Sequence, residues 1–67
     1  MTDKAVAKRI KQFRKESGLT QVALGEKAGV SPNTIARLER GEHRAASETI
    51  EKLAKALGVK ASDILNY

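Results

Sequence analysis

No cysteine occurs among the 67 residues, and histidine occurs once, at His43. Disulfides and thiolate metal sites are thereby excluded as sources of stability, and one imidazole offers no zinc constellation. Long apolar runs are missing too. Lys4, Lys8, Arg9 and Lys11 interrupt the N-terminal hydrophobic residues, so there is no signal-peptide core and no stretch that would span a bilayer. Neither a paired acid and base, nor a nucleophile constellation, nor a phosphate-cradling glycine loop appears, which makes an enzyme the least favoured reading. The expectation is a single domain over residues 1–67, cytoplasmic, with no metal and no cofactor. A domain of this size buries only about 60% of the surface its unfolded chain exposes. Packed helices therefore have to hold it together.

The net charge is +5, and it is unevenly placed. Residues 1–46 carry ten lysines and arginines against five acidic side chains, whereas residues 47–67 carry three against three. A basic excess confined to one part of a small protein suits a polyanion such as nucleic acid. The plain alternative is a charge that serves only solubility.

The rest of the chain arranges itself around Gln21 to Arg40, QVALGEKAGVSPNTIARLER. An apolar helical pattern stops at Ala28-Gly29-Val30 and restarts at Ser31-Pro32-Asn33, which predicts two short helices across a tight turn. Leu24 and Ala28 share a face of the first, and Ile35 and Leu38 share a face of the second. Gly29 supplies the positive φ that a sharp reversal needs. Gly25 leaves room for the second helix to approach, which is the geometry of a helix-turn-helix. Thr20 caps the first of these helices, with Ala23 where a full capping box would have Glu or Gln. Ser31 caps the second, and Pro32 takes its first position, where a missing N–H costs nothing.

With Gly18-Leu19-Thr20-Gln21, Leu24-Gly25, Ala28-Gly29-Val30-Ser31, Thr34-Ile35, Leu38-Glu39 and Gly41, this stretch resembles the phage repressor and Cro family, often called the XRE-type helix-turn-helix. The segment Leu53-Ala54-Lys55-Ala56-Leu57-Gly58-Val59 is similar to the family's fourth helix, so the likeness covers nearly the whole chain. Two departures stand out. Val22 occupies a position the family usually makes polar, and Ala45 and Ala46 replace a usual Pro and Ser. The resemblance implies a lambda-repressor-like domain in a bacterial, archaeal or phage-infected cell. It also implies a homodimer on a pseudo-palindromic double-stranded DNA operator, with half-sites roughly 34 Å apart.

On the third helix, Asn33, Arg37 and Arg40 share a face opposite Ile35, with Pro32 and Ala36 beside them. An arginine can donate two hydrogen bonds to guanine O6 and N7, an asparagine can pair with adenine N6 and N7, and Pro32 or Ala36 can pack on a thymine methyl. Taken alone, such residues would be read as a solvated face. Their match to the family's base-reading positions assigns base contacts to Pro32, Asn33, Ala36 and Arg37. Phosphate contacts are expected from Arg14, Gln21, Ser31, Thr34, Arg40 and Arg44, because a helix N-terminus and basic side chains suit an anion. The resemblance pairs Arg14 with Glu39. For Arg14 that structural tie comes first and the phosphate second. Gly25, Gly29 and Glu39 are structural, and His43 is an exposed loop residue.

The remaining elements follow from periodicity. A first helix starts after Thr2 or Asp3 and runs to about Ser17, burying Val6, Ile10 and Phe13, with Lys4, Lys8, Lys11 and Lys15 on an outer face read as solvated in preference to a phosphate rail. Gly18 ends it and Leu19 folds back. Ser47 is the expected cap of a fourth helix whose core stripe is Ile50, Leu53, Ala54 and Leu57, with Glu48–Lys52 and Glu51–Lys55 as outer i,i+4 pairs. Gly58 and Val59 close it. A short helix over Ala61 to Asn66, followed by Tyr67, either covers the core or meets a second copy. The expected fold is all-α, a compact bundle of about five short helices containing a helix-turn-helix at about 20–40. The favoured function is a sequence-specific DNA-binding transcriptional regulator, a repressor, with residues 31–40 in the major groove. The alternative is a protein-interaction adaptor, antitoxin-like or coactivator-like, that uses Val22 or the C-terminal tail.

Overall fold

The turn between the second and third helices sets the geometry of everything around it. In the computed structural model, which describes residues 3–42 and 45–65, α2 (Gln21–Ala28) ends where Gly29 adopts φ 73° and its N–H bonds to the Gly25 carbonyl. Val30 N–H also reaches the Gly25 carbonyl, at 2.9 Å. The chain is then turned into α3 (Pro32–Glu39), for which the Ser31 hydroxyl accepts from the Asn33 N–H. Gly25 is needed for space. A Cβ there would lie 2.5 Å from the Val30 carbonyl oxygen and 3.3 Å from the Pro32 nitrogen. The turn and the start of α3 therefore rest directly on the α2 backbone.

Among the described residues, three more helices support this corner. They are α1 (Asp3–Glu16), α4 (Ser47–Leu57) and α5 (Ala61–Leu65). The secondary structure of the described residues is wholly helical. α1 packs on α3, α4 and α5, α2 packs on α3 and α4, and α5 lies on α4. Ile10, Leu24, Ile35, Leu38, Ile50, Leu53 and Ile64 supply the large buried side chains of one shared core. Among the described residues this core is made of apolar side chains alone. Ile64 is fully enclosed, so α5 packs on the core and closes that side of the bundle. Its start is held by Asp63, whose carboxylate accepts from the Lys60 backbone N–H at 2.9 Å while its own N–H donates to the Lys60 carbonyl.

Several expectations need correction. The buried stripe of α1 centres on Ala7 and Ile10, with Val6 and Phe13 only half-buried. Ala7 and Ala56 are both core residues, passed over because a single methyl gives a weak periodic signal. Glu48 and Lys52 pair at 3.5 Å, but Glu51 and Lys55 form no ion pair among the described residues. The cap of α4 is Ala46, not Ser47: the Ala46 carbonyl accepts from Ile50 N–H at 3.0 Å, and Ser47 is already the first helical residue. Backbone hydrogen bonding decides where a helix begins, and here it does so without a side-chain cap. The expectations for Thr2, His43, Arg44, Asn66 and Tyr67 lie outside the described residues.

Two substitutions check this reading. Ala46→Ser should stabilise the fold by about 1 kcal/mol by capping α4, seen as a higher urea midpoint at unchanged m-value; a midpoint that stays put would place the helix start elsewhere. Gly29→Val should cost at least about 1–2 kcal/mol, because a β-branched residue is strained at positive φ, and an unchanged Tm would contradict the turn assignment.

Candidate nucleic-acid interface

With Ile35 and Leu38 buried, α3 has one direction left for its other side chains. Pro32, Asn33 and Arg37 are exposed on the outer side, and Ala36 is half-exposed among them. Arg40, the C-cap of α3, extends this row and is exposed as well. The asparagine and the first arginine are four residues apart, so about 6 Å separates them along the axis. An amide and a guanidinium on one short rod form an edge rich in hydrogen-bond donors, of a size that fits the B-DNA major groove. Ser31 and Thr34 flank its start, the former exposed and the latter half-buried.

The far end of α3 is tied down by a polar cluster. Arg14 donates from Nε to one Glu39 carboxylate oxygen at 2.6 Å and from Nη2 to the other at 3.0 Å. Its remaining terminal nitrogen, Nη1, donates to the Leu19 carbonyl at 2.9 Å. Gln21 joins them, its Nε2 donating to the same Glu39 oxygen that takes Nη2, at 3.2 Å. One carboxylate thus connects the last turn of α1, the first residue of α2 and the last residue of α3. The Arg14 side chain is 11% exposed and that of Glu39 only 4%. The hydrogen bond to Glu39, reinforced by the attraction of its charge and opposed by burial, raises the Arg14 pKa above its already high ordinary value. Stability gained through a raised pKa is present at every pH below the ordinary arginine range and is lost only as pH rises through the higher folded value. Arg14 deprotonation therefore plays no part in acid or neutral solution.

The expected site residues other than Arg44 can now be placed. Pro32, Asn33, Ala36 and Arg37 share the outer side of α3, together with Arg40. Ser31 sits at the amino end of α3, and Thr34 lies one residue past Asn33. Gln21 sits at the amino end of α2, with one amide hydrogen engaged by Glu39 and the other free of any described bond. Arg14 has all three guanidinium nitrogens engaged, which supports its structural role over a phosphate contact. Arg44 lies outside the described residues. Two features went unread in the sequence. One is the Gln21–Glu39 bond, which joins residues 18 positions apart. The other is an ion pair between Arg40 Nε and Glu42 at 3.0 Å, for which the opposite charges two residues apart were a usable signal. No cluster of His, Asp or Glu suited to a metal occurs among the described residues, and no described helix is long and apolar enough to cross a membrane.

A family model described as Helix-turn-helix matches residues 10–64. An immunity repressor protein of Bacillus phage phi105 is 45% identical over 60 residues, which is 90% of this chain but only 42% of the repressor's length. An uncharacterised helix-turn-helix-type transcriptional regulator of Methanocaldococcus jannaschii is 39% identical over 59 residues, covering 88% of this chain and 89% of that protein. Among solved structures, the biofilm master regulator SinR in complex with DNA superposes with a TM-score of 0.87 at 34% identity, covering 90% of this chain and 97% of that one.

Removing Arg14 tests the polar cluster. Arg14→Ala would leave a nearly buried carboxylate held by Gln21 alone, and losing one partner of a buried pair costs about 3 kcal/mol. For a domain of this size that is a Tm fall on the order of 10–20 °C. Arg14→Lys should recover little, since an ammonium cannot reproduce the two-pronged contact. A full recovery by lysine, or a fall of only a degree or two, would show the cluster to be incidental.

Proposed function

This chain belongs to the helix-turn-helix family, in its phage-repressor (XRE-type) branch, and on that premise we propose that it is a sequence-specific double-stranded DNA-binding transcriptional regulator that lays α3 in the major groove. The observation that carries the proposal is the division of α3 into two sides. Ile35 and Leu38 are spent on the core, while Asn33 and Arg37 stand exposed with no described structural duty. Pro32, Asn33, Ala36 and Arg37 meet base edges. Arg37 pairs with guanine and Asn33 with adenine, each good two-bond pair contributing about 1–3 kcal/mol of discrimination. Ser31, Thr34, Gln21 and Arg40 face phosphates. Gln21 suits this role because Glu39 orients its amide at the amino end of α2, where unpaired N–H groups and the helix dipole favour an anion. Arg14 contributes by holding that geometry.

Few base contacts are available to one copy, so affinity and specificity at a gene-sized target favour a homodimer on a pseudo-palindromic operator. The role is repression, and the similarity to the phi105 immunity repressor, which this chain spans over 42% of its length, supports it. The competing adaptor reading rests on Val22, the one large hydrophobic side chain exposed among the described residues. A single exposed valine is a small surface for a partner.

Selection of bound duplexes from a randomised pool would supply the operator, and Arg37→Ala then tests the reading. Affinity for the selected operator should fall by about 1–3 kcal/mol, roughly five- to 150-fold, with little change on random duplex. Equal losses on both would make Arg37 a phosphate contact. No binding to any duplex even at low salt would favour the adaptor.

A further inference from the structure

The geometry points to Glu42 as an internal counterion for Arg40, one that limits how strongly this surface holds DNA of any sequence. The inference rests on the DNA-binding reading above. Arg40 closes the exposed row that runs along α3 through Asn33 and Arg37, and so stands where a phosphate-directed cation is expected. Its Nε, however, is 3.0 Å from the Glu42 carboxylate, and both side chains are more than half exposed. The backbone keeps the acid within reach. Glu42 N–H donates to the Arg37 carbonyl at 3.2 Å and Gly41 N–H to that of Leu38 at 3.0 Å, so the backbone that carries Glu42 is folded onto the end of α3. A carboxylate is thereby kept close to the cation at the end of α3, 3.0 Å away in this structure.

The consequence follows from how such surfaces bind. Non-specific attraction to duplex DNA comes from cations that neutralise phosphates and release condensed counterions. An arginine already neutralised by its own protein delivers less of that gain. To engage a phosphate it has to leave the carboxylate or bring a negative charge toward the backbone. Arg40 is thus a partly masked contact, and Glu42 sets the degree of masking. Arg37 has no such acidic neighbour among the described residues: its side chain is exposed and forms no ion pair there. Loose sequence-independent binding is restrained at one arginine while the base-reading arginine stays available.

The test is a double-mutant cycle on Glu42→Gln and Arg40→Ala, read by fluorescence titration of random duplex across several potassium chloride concentrations. Both positions are exposed, so folding should survive, and a thermal melt of each variant confirms it. Glu42→Gln is expected to tighten random-duplex binding by about two- to fivefold, the range for an exposed charge pair, and to steepen the slope of log affinity against log salt by about 0.9. Arg40→Ala should cost little in the wild-type background and several-fold more in the Glu42→Gln background. Equal losses in the two backgrounds, or an unchanged salt slope in Glu42→Gln, would overturn the proposal while leaving DNA binding itself intact. A wild-type protein that ignores duplex even at low salt would overturn both.

Discussion

Glu39 brings a carboxylate into a place where its side chain is almost fully shielded from water, and the positions of three helices follow from the need to satisfy it. A charge so placed is costly unless its oxygens are hydrogen-bonded and its partner is close. Arg14 meets both oxygens from α1 and Gln21 meets one of them from α2. Arg14 also holds the Leu19 carbonyl, so the link between α1 and α2 is part of the same arrangement. Such a contact is a poor source of net stability but a strict one for geometry, since no displaced arrangement of the helices would keep all of these bonds.

What the arrangement secures is the attitude of α3. Its carboxyl end is held through Glu39, and its amino end by the turn that rests on Gly25, where no side chain fits. Its inner side is filled by Ile35 and Leu38 against a core completed by α4 and α5. A helix fixed at both ends and along its back presents its remaining side chains in a constant orientation. Recognition of base edges demands that constancy, because a hydrogen-bonding pattern is read only when donors arrive in register. The same constraint reaches Gln21, whose amide is aimed by the carboxylate that anchors α3.

Much of this was legible because it is written in short-range signals. Thr20 and Ser31 do cap their helices, Gly29 does take positive φ, and the apolar spacing identified Ile35, Leu38, Ile50 and Leu53 as core, although Leu57, expected with them, is only half-buried. Less was legible where a signal is weak or shared. Ala7 and Ala56 are core residues that periodicity undervalues, and Ser47 looked like a cap because serine so often is one, although the hydrogen bonding begins at Ala46. The exposed side of α3 was visible as spacing. Its base-reading assignment came from the likeness to a known family, since spacing cannot tell a reading face from a solvated one.

The chain by itself determined the number and kind of its helices, where the corner falls and which side of α3 turns inward. Those outcomes depend on φ preferences, caps and periodic burial, which act over a few residues and so can be read in order. Only the tertiary structure decided that Gln21 shares Glu39 with Arg14, that α5 closes the core through Ile64, and how near Glu42 stands to Arg40. The first two join positions far apart in the chain, and the third depends on how the backbone leaves α3. Such contacts form only after the helices have taken their places, when distance in space has replaced distance along the chain.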